Sequence, residues 1–480
     1  MILTALVLGP FLMGALAWTL PRRTARRKAL VAASLLQLLL TGMAMKIGPE
    51  PEWGGALALD PLGRLFLGVT TLLFAASAVY TFGYMALHRH PRKRHYVPVL
   101  LCFLGSMTLA TLSQHMGLFW VALEATTLSS APLVFFDRSE KSLEAAWKYL
   151  ILCSVGIALA LAGTFFLALA LPPGGKGSLL VADLAARAAE MSAPWLKVGF
   201  LFLLVGYGTK MGLAPMHTWL PDAHAEAPPP VSALLSGALL NCAFLGILRI
   251  LPILNAAGLS SFARTPLLAF GFLSMTAGTA FLVRQPDYKR LLAYSSVEHM
   301  GILAVGVGLG SAQGTFGALL HAVNHSLAKG LFFFAAGMVF LLTGTKAVAE
   351  VRGLLGRAPL AAALLLAGFF AITGTPPFGL FVSEFILLAA TFSTGHPLLA
   401  ALFLTLLAGA FTAMGAVVLP MVFGSARDLA GQPFSRRHAW LLGAPAVSLG
   451  ILSLALGLWI PRGILSLLKA GATLVAGGPP

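Results

Sequence analysis

Charge is scarce in this chain. Of 480 residues only 10% are Asp, Glu, Lys or Arg, against about 25% in a soluble globular protein. So few charges cannot coat a chain that is 58% hydrophobic, which excludes an ordinary water-soluble fold. Cysteine is scarcer still. Cys102, Cys153 and Cys242 stand singly, far from any CxxC cluster, and read as small buried hydrophobes. They offer no iron–sulfur or zinc site and no disulfide framework. No GxGxxG opens a helix after a strand and no GxxxxGK[ST] occurs, so no nucleotide, flavin or cluster site is expected. Redox or ATP-driven chemistry must then come from a partner, and no cofactor is expected on this chain.

What is present is long apolar stretches, each about 20 residues, the length that crosses a bilayer as a helix. Alternating ten-residue strands, the mark of a membrane barrel, are not visible. The expected fold is an all-α polytopic membrane protein. Fourteen spans are read near 1–20, 29–46, 62–87, 96–112, 114–136, 145–171, 196–220, 229–252, 265–283, 292–309, 314–342, 358–394, 397–423 and 439–460. The first reads as a retained helix rather than a signal peptide.

The net charge of +16 suggests nucleic acid until its placement is examined. With the N-terminus outside, 21 of the 32 Lys and Arg fall in the inside loops near 22–28, 89–94, 138–148, 284–290, 346–357 and 427–437. Nine fall outside, and two, Lys210 and Lys329, lie within spans. Such asymmetry follows the positive-inside rule and puts both termini outside. The basic excess is a topology signal, and nucleic acid is not an expected partner.

Two spans look interrupted. Pro215 and Pro221 break the seventh, and TGTPPFGLFVSEF, with Pro376, Pro377 and Gly379, breaks the twelfth. Interior prolines remove helix hydrogen bonds, and within a bilayer such breaks survive only where protein or water receives the freed groups. Paired breaks are a pointer to inverted-repeat transporters. Residue spacing agrees: 86 residues separate Glu124 from Lys210, and 86 separate Glu298 from Glu384. The expected organisation is 1–95 for helices one to three, 96–252 for a first five-helix repeat, 262–424 for a second, and 425–480 for the last helix and tail.

Five ionisable residues fall within spans: Glu124, Lys210, Glu298, Lys329 and Glu384. Each costs about 2.5–3.5 kcal/mol on insertion scales, so such residues face the interior and mark ion or proton routes. A structural alternative is that each carboxylate merely pairs with a lysine to hold helices together. His321, His325 and Lys329 recur every fourth residue and so line one helical face, a spacing suited to a proton relay. Zinc could also be shared by two histidines so spaced, but HEXXH is absent and Lys329 is a poor neighbour for a cation. No metal is expected. His224 and His299 lie near span ends and read as hydrogen-bonded interfacial histidines. Burial favours the neutral form of an amine while a nearby carboxylate favours the charged form. Lys210, beside a break that admits water and opposite Glu124, is therefore read as a switchable proton site.

The stretch KMGLAPMHTWLPDAHAEAPPPVSALLSG, 210–237, resembles the signature of antiporter-like subunits of respiratory complex I, Mrp-type cation/proton antiporters and membrane-bound hydrogenases. DYKRLLAYSSVEHMG (287–301), HAVNHSLAKGLFF (321–333) and GTPPFGLFVSEF (374–385) support it. EATTLSSAPLVFF with SLEAAWKYLILCSVGIALALAGTFF (142–166) is most similar to component F of hydrogenase-4. The resemblance implies fourteen helices in two inverted five-helix repeats. It implies that Glu124 and Lys210 are the family's glutamate–lysine pair, that Lys329 with His321 and His325 is the central relay, and that Glu384 is the outlet. Several relatives carry lysine where this chain has Asn241, which can hold water but cannot titrate.

The expected function is a proton-translocating subunit of a hydrogenase-4-like or NADH:quinone oxidoreductase-like complex. Protons would enter at Lys210, cross by Asn241, His325, His321 and Lys329, and leave near Glu384, with partner electron transfer perturbing Glu124 or Glu298. Its partners would be other membrane subunits, a peripheral arm of hydrogenase or dehydrogenase subunits, and lipid, in a bacterial or archaeal cell (inner) membrane. An Mrp-type antiporter and an inactive scaffold subunit are the alternatives.

Overall fold

A computed structural model describes residues 1–87, 94–172, 177–395, 397–425 and 434–477. Of the basic residues assigned to the inside, Arg89, Arg92, Lys93 and Arg427 lie outside those residues. Among the described residues the chain is helical, with isolated bridges in place of any sheet. Helices α1 (Ile2–Thr19), α2 (Arg23–Ile47) and α3 (Pro61–Leu87) come first. They are followed by α4 (Tyr96–Leu112), α5 (Met116–Val134) and α6 (Glu140–Ala170). A surface turn, α7 (Val181–Ala186), leads to α8 (Ala193–Met211), which stops at Gly212 and resumes as α9 (Trp219–Glu226). Next come α10 (Pro229–Leu234), a π-helical segment Leu235–Leu239 and α11 (Leu240–Ala256) in one continuous rod. Then α12 (Ser260–Leu282), α13 (Tyr288–Gly308) and α14 (Ala312–Thr343) follow. The last group is α15 (Leu354–Arg357), α16 (Pro359–Ile372), α17 (Gly379–Ser393), α18 (Pro397–Phe423), α19 (Arg436–Leu458) and α20 (Arg462–Ala476).

Twelve spans among the described residues are long and apolar enough to cross a membrane, against the fourteen expected. The difference has two sources. The fourth expected span is α4, only 17 residues long, and the twelfth is divided into the half-length α16 and α17. The breaks lie at Pro215 and at Pro376–Pro377, each with one cis X-Pro bond, Ala214–Pro215 and Pro376–Pro377, whereas Pro221 lies in the first turn of α9 and breaks nothing. The tail after the last expected span contains α20. Its face of Leu468, Gly471, Ala472 and Val475 is buried across the bundle end, while Arg462 and Lys469 stay exposed.

Lipid is as apolar as leucine, so helix association in a membrane relies on close packing at small residues. Two glycine seams supply it. Between α6 and α8, a Cβ on Gly206 would lie 2.6 Å from the backbone of Ala160, and one on Gly163 would lie 2.9 Å from the carbonyl of Gly199. Between α12 and α13, a Cβ on Gly278 would lie 2.8 Å from the backbone of Glu298. That second seam fixes the depth and direction of a carboxylate-bearing turn. The α10–α11 rod, α13 and α14 form the enclosed centre: nearly every residue of Pro229–Ala256 and most of those in Tyr288–Gly308 and Ala312–Thr343 are buried.

The ends of the bundle differ in charge. Lys148, Arg290 and Lys346, from three loops assigned to the inside, meet Asp222 and Glu226 at one end. Arg249, assigned to an outside loop, is instead 2% exposed within α11 at the other end. Its guanidinium donates to the carbonyls of Ala110 at 3.1 Å, Thr111 at 2.7 Å and Ser113, and lies 3.5 Å from Asp60. It caps the C-terminal end of α4, where backbone carbonyls lack helical partners.

Candidate functional site

Lys210 occupies the last turn of α8, which ends because Gly212 turns left-handed at φ 85. Its ammonium is fully buried and donates to the hydroxyls of Thr127 on α5 at 2.8 Å and Tyr149 on α6 at 2.7 Å. The Tyr149 hydroxyl is 2.6 Å from that of Ser130. Glu124 sits one turn before Thr127 on α5. One of its carboxylate oxygens accepts from Ser154 at 2.9 Å and the other is buried without a partner. The expected pair therefore shares one cluster without forming a direct ion pair within 4.0 Å. Thr127 and Tyr149 take the ammonium in place of the carboxylate.

Lys329 lies fully buried in the middle of α14. It donates to the carbonyl of Leu292 at 2.6 Å and to the hydroxyl of Ser295, both on α13. Glu298, 2% exposed, lies one turn past Ser295 on the same helix and forms no ion pair with Lys329 within 4.0 Å. Beside them His299 Nδ1 and His321 Nε2 are 2.9 Å apart, and His321 Nδ1 is 3.2 Å from the Ser383 hydroxyl. The ring of His299 lies 5.1 Å from that of His325, whose nitrogens are buried without partners. Glu384, 8% exposed on α17, completes the row; donor atoms of His299, His321 and Glu384 lie within 4.8 Å of one another. Three such donors could hold a metal, but here the two ring nitrogens that face each other are already hydrogen-bonded together.

The second break lies beside this row. Asn324 donates to the carbonyl of Gly379 at 2.8 Å, which ties α14 to the start of α17. Gly374 adopts φ 60, and a Cβ there would collide with the Glu384 carboxylate. A Cβ on Gly457 of α19 would likewise collide with the carbonyl of Pro377. The two ends of the break are thus packed against protein, while Pro376 and Pro377 at its turn are exposed.

Between the two clusters stands the α10–α11 rod. Asn241, 1% exposed, donates to the Ser326 hydroxyl of α14 at 2.8 Å and to the Gly237 carbonyl at 3.0 Å; its own oxygen has no partner. The π segment permits this contact. Gly237 lies so near α14 that a Cβ would be 3.1 Å from the Ser326 carbonyl. Sequence reasoning placed Glu124, Lys210, Asn241, Glu298, His321, His325, Lys329 and Glu384 on the route, and each is now located. It put His299 and His224 at an interface, and both are buried instead. His299 is the hydrogen-bonded partner of His321. His224 stacks on Phe333 with ring centroids 5.2 Å apart, both nitrogens lacking partners, within electrostatic reach of Lys329. The available signal for His299 was its place directly after an intramembrane glutamate.

Buried lysines, carboxylates and histidines inside a helical bundle define an antiporter-like membrane protein. The comparison with known proteins is narrower. Residues 113–410 match the family described as NADH:quinone oxidoreductase/Mrp antiporter, transmembrane, and the chain belongs to that family. It is 40% identical to a hydrogenase-4 component F homolog of Methylacidiphilum infernorum over 85% of this chain and 86% of that one. It is 31% identical to NADH-quinone oxidoreductase subunit N of Desulforudis audaxviator over 76% of this chain and 72% of that one. Among solved structures, a chain of respiratory complex I from Thermus thermophilus superposes with a TM-score of 0.83 at 25% identity, covering 99% of this chain and 100% of that one.

Proposed function

We propose that the chain is the proton-translocating membrane subunit of a multi-subunit redox complex of the hydrogenase-4 type. The observation that carries this reading is that two fully buried lysines, Lys210 and Lys329, have only neutral oxygens as hydrogen-bond partners. A buried ammonium without a contact counter-ion is costly, and sites of that kind serve ion movement rather than stability. Residues 96–252 and 262–424 are read as the two repeats, one around each broken helix.

Protons enter from the cytoplasmic, basic end to Lys210 and pass Tyr149 toward the Asn241–Ser326 contact. They continue by His224 and Lys329 into His325, His299 and His321, and leave at Glu384 beside the second break. Water in the seam carries the proton past Asn241, which cannot titrate. Electron transfer in a peripheral hydrogenase or dehydrogenase arm shifts Glu124 or Glu298, and the shifted charge changes the affinity of the neighbouring lysine. Moving one charge against 100 mV needs about 2.3 kcal/mol, which a change of about two pKa units supplies. The chain is placed in a bacterial or archaeal cell membrane with both termini outside.

Lys210→Ala in the intact complex, measured in sealed vesicles, is expected to abolish proton movement while partner redox turnover continues. Unchanged proton movement refutes the reading. The family also contains Mrp antiporters. Proton flux that requires sodium and no electron donor moves the chain to that class.

A further inference from the structure

The basic end of the bundle holds a cavity of about 470 Å³ lined by Lys148, Asp222, Glu226, Arg290 and Lys346 among others. The proton route uses none of these residues. Asp222 is the one placed to join the two halves. One carboxylate oxygen accepts from Lys148 at 3.1 Å and the other from Arg290. Lys148 immediately precedes Tyr149 on α6, and Tyr149 holds the ammonium of Lys210. Arg290 begins α13 just ahead of Leu292 and Ser295, which hold the ammonium of Lys329. A single carboxylate thus fastens together the two helices that grip the two buried lysines.

The short rod that carries Asp222 meets both clusters itself. On α9, the ring of Trp219 packs 5.0 Å from Tyr149 and its indole N–H donates to the carbonyl of Thr209, beside Lys210. His224, at the other side of α9, stacks on Phe333, one turn beyond Lys329. The far end of α9 is held by the second cluster's side: Lys289 of α13 donates to the carbonyls of Ala225 at 2.9 Å and Ala227 at 2.6 Å. Lys346 donates to the same Ala225 carbonyl at 2.9 Å and to Glu226 at 2.8 Å.

We propose that Asp222 is a positioning residue that couples the two lysine sites, with α9 as the crossbar between them. This rests on the proton-translocation reading. Lys148 and Arg290 have side chains 47% and 42% exposed, so these ion pairs add little to global stability and act on the local order of the two helix starts. Their effect is geometric. When Lys210 changes charge, Tyr149 and Lys148 shift on α6, Asp222 carries the shift to Arg290, and the grip of Leu292 and Ser295 on Lys329 changes. Packed helices pass such shifts between discrete arrangements rather than absorbing them.

The test is a cycle in the full complex. Tyr149→Phe and Ser295→Ala, singly and together, are compared with Asp222 present and in Asp222→Asn, reading redox-driven proton uptake in vesicles. Distant sites normally act independently. With Asp222 present, the double variant is expected to depart from the product of the singles by about twofold or more. In Asp222→Asn the effects multiply, and Asp222→Glu restores the coupling. Multiplicative effects in both backgrounds overturn the proposal. Amide exchange decides the same point without proton movement, and so separates this proposal from the function reading. Asp222→Asn is expected to speed exchange in the first turns of both α6 and α13, whereas Lys148→Gln leaves α13 protected. Unaltered exchange at 288–295 in Asp222→Asn overturns the proposal.

Discussion

The two buried lysines differ in what holds them and in where the chain is broken. Lys210 sits at the broken end of α8, gripped by two hydroxyls, with Glu124 one turn away. Lys329 sits in the middle of an unbroken α14, gripped by a backbone carbonyl and a serine, with a histidine row beside it. In the first cluster the break carries the amine; in the second the neighbouring helix breaks, and the break carries a carboxylate, Glu384. On the proposed route the first break carries the amine that takes up protons and the second the carboxylate that releases them, with fully buried Lys329 between.

That contrast can be broken most severely at Lys329. Lys329→Ala is expected to slow translocation by about 10²-fold or more, the range for loss of a proton-transfer group. Lys329→Arg is not expected to rescue it, since a guanidinium keeps its proton. Rescue by arginine would make Lys329 a fixed charge instead. The two breaks separate next. Gly374→Ala forces a left-handed alanine against the Glu384 carboxylate and is expected to impair translocation as well as stability. Gly212→Ala meets the flexible Leu220 side chain instead. It is expected to cost about 1–2 kcal/mol in thermal unfolding while translocation persists. Equal effects on proton uptake would erase the distinction between the breaks. The smallest effect is expected at Asn241→Ala, about fivefold in proton uptake, the worth of about one hydrogen bond. A complete block there would assign Asn241 more than the ordering of water.

Much of this was legible in the sequence. Span length and the lack of charge gave the helical membrane fold, and the prolines located both breaks. The pairing of the charges was less so. Equal separations of 86 residues point to equivalent positions, not to contact, and neither Glu124–Lys210 nor Glu298–Lys329 is an ion pair within 4.0 Å. Helical periodicity gives the face of a residue but not its depth. His224 seemed terminal because it follows the span read as 196–220, yet the restarted α9 reaches the basic end packed beneath other helices. His299 and Arg249 were misplaced for the same reason: distance from a span's end says little when neighbouring helices extend beyond it. Helix α20 escaped notice because its apolar face covers the bundle end rather than crossing the bilayer.

The π segment at Leu235–Leu239 sets the angular phase of everything after it on α11. A π turn accommodates one residue more than an α turn, and each residue of a helix advances it by about 100°. Deleting one residue there would let the turn close as an α turn with Asn241 still on α14, whereas deleting one between Asn241 and Arg249, where the helix is regular, would withdraw the Arg249 guanidinium from the end of α4. One surplus residue is thus absorbed within a single turn, and the interior polar contact and the distant helix end keep a common rotation.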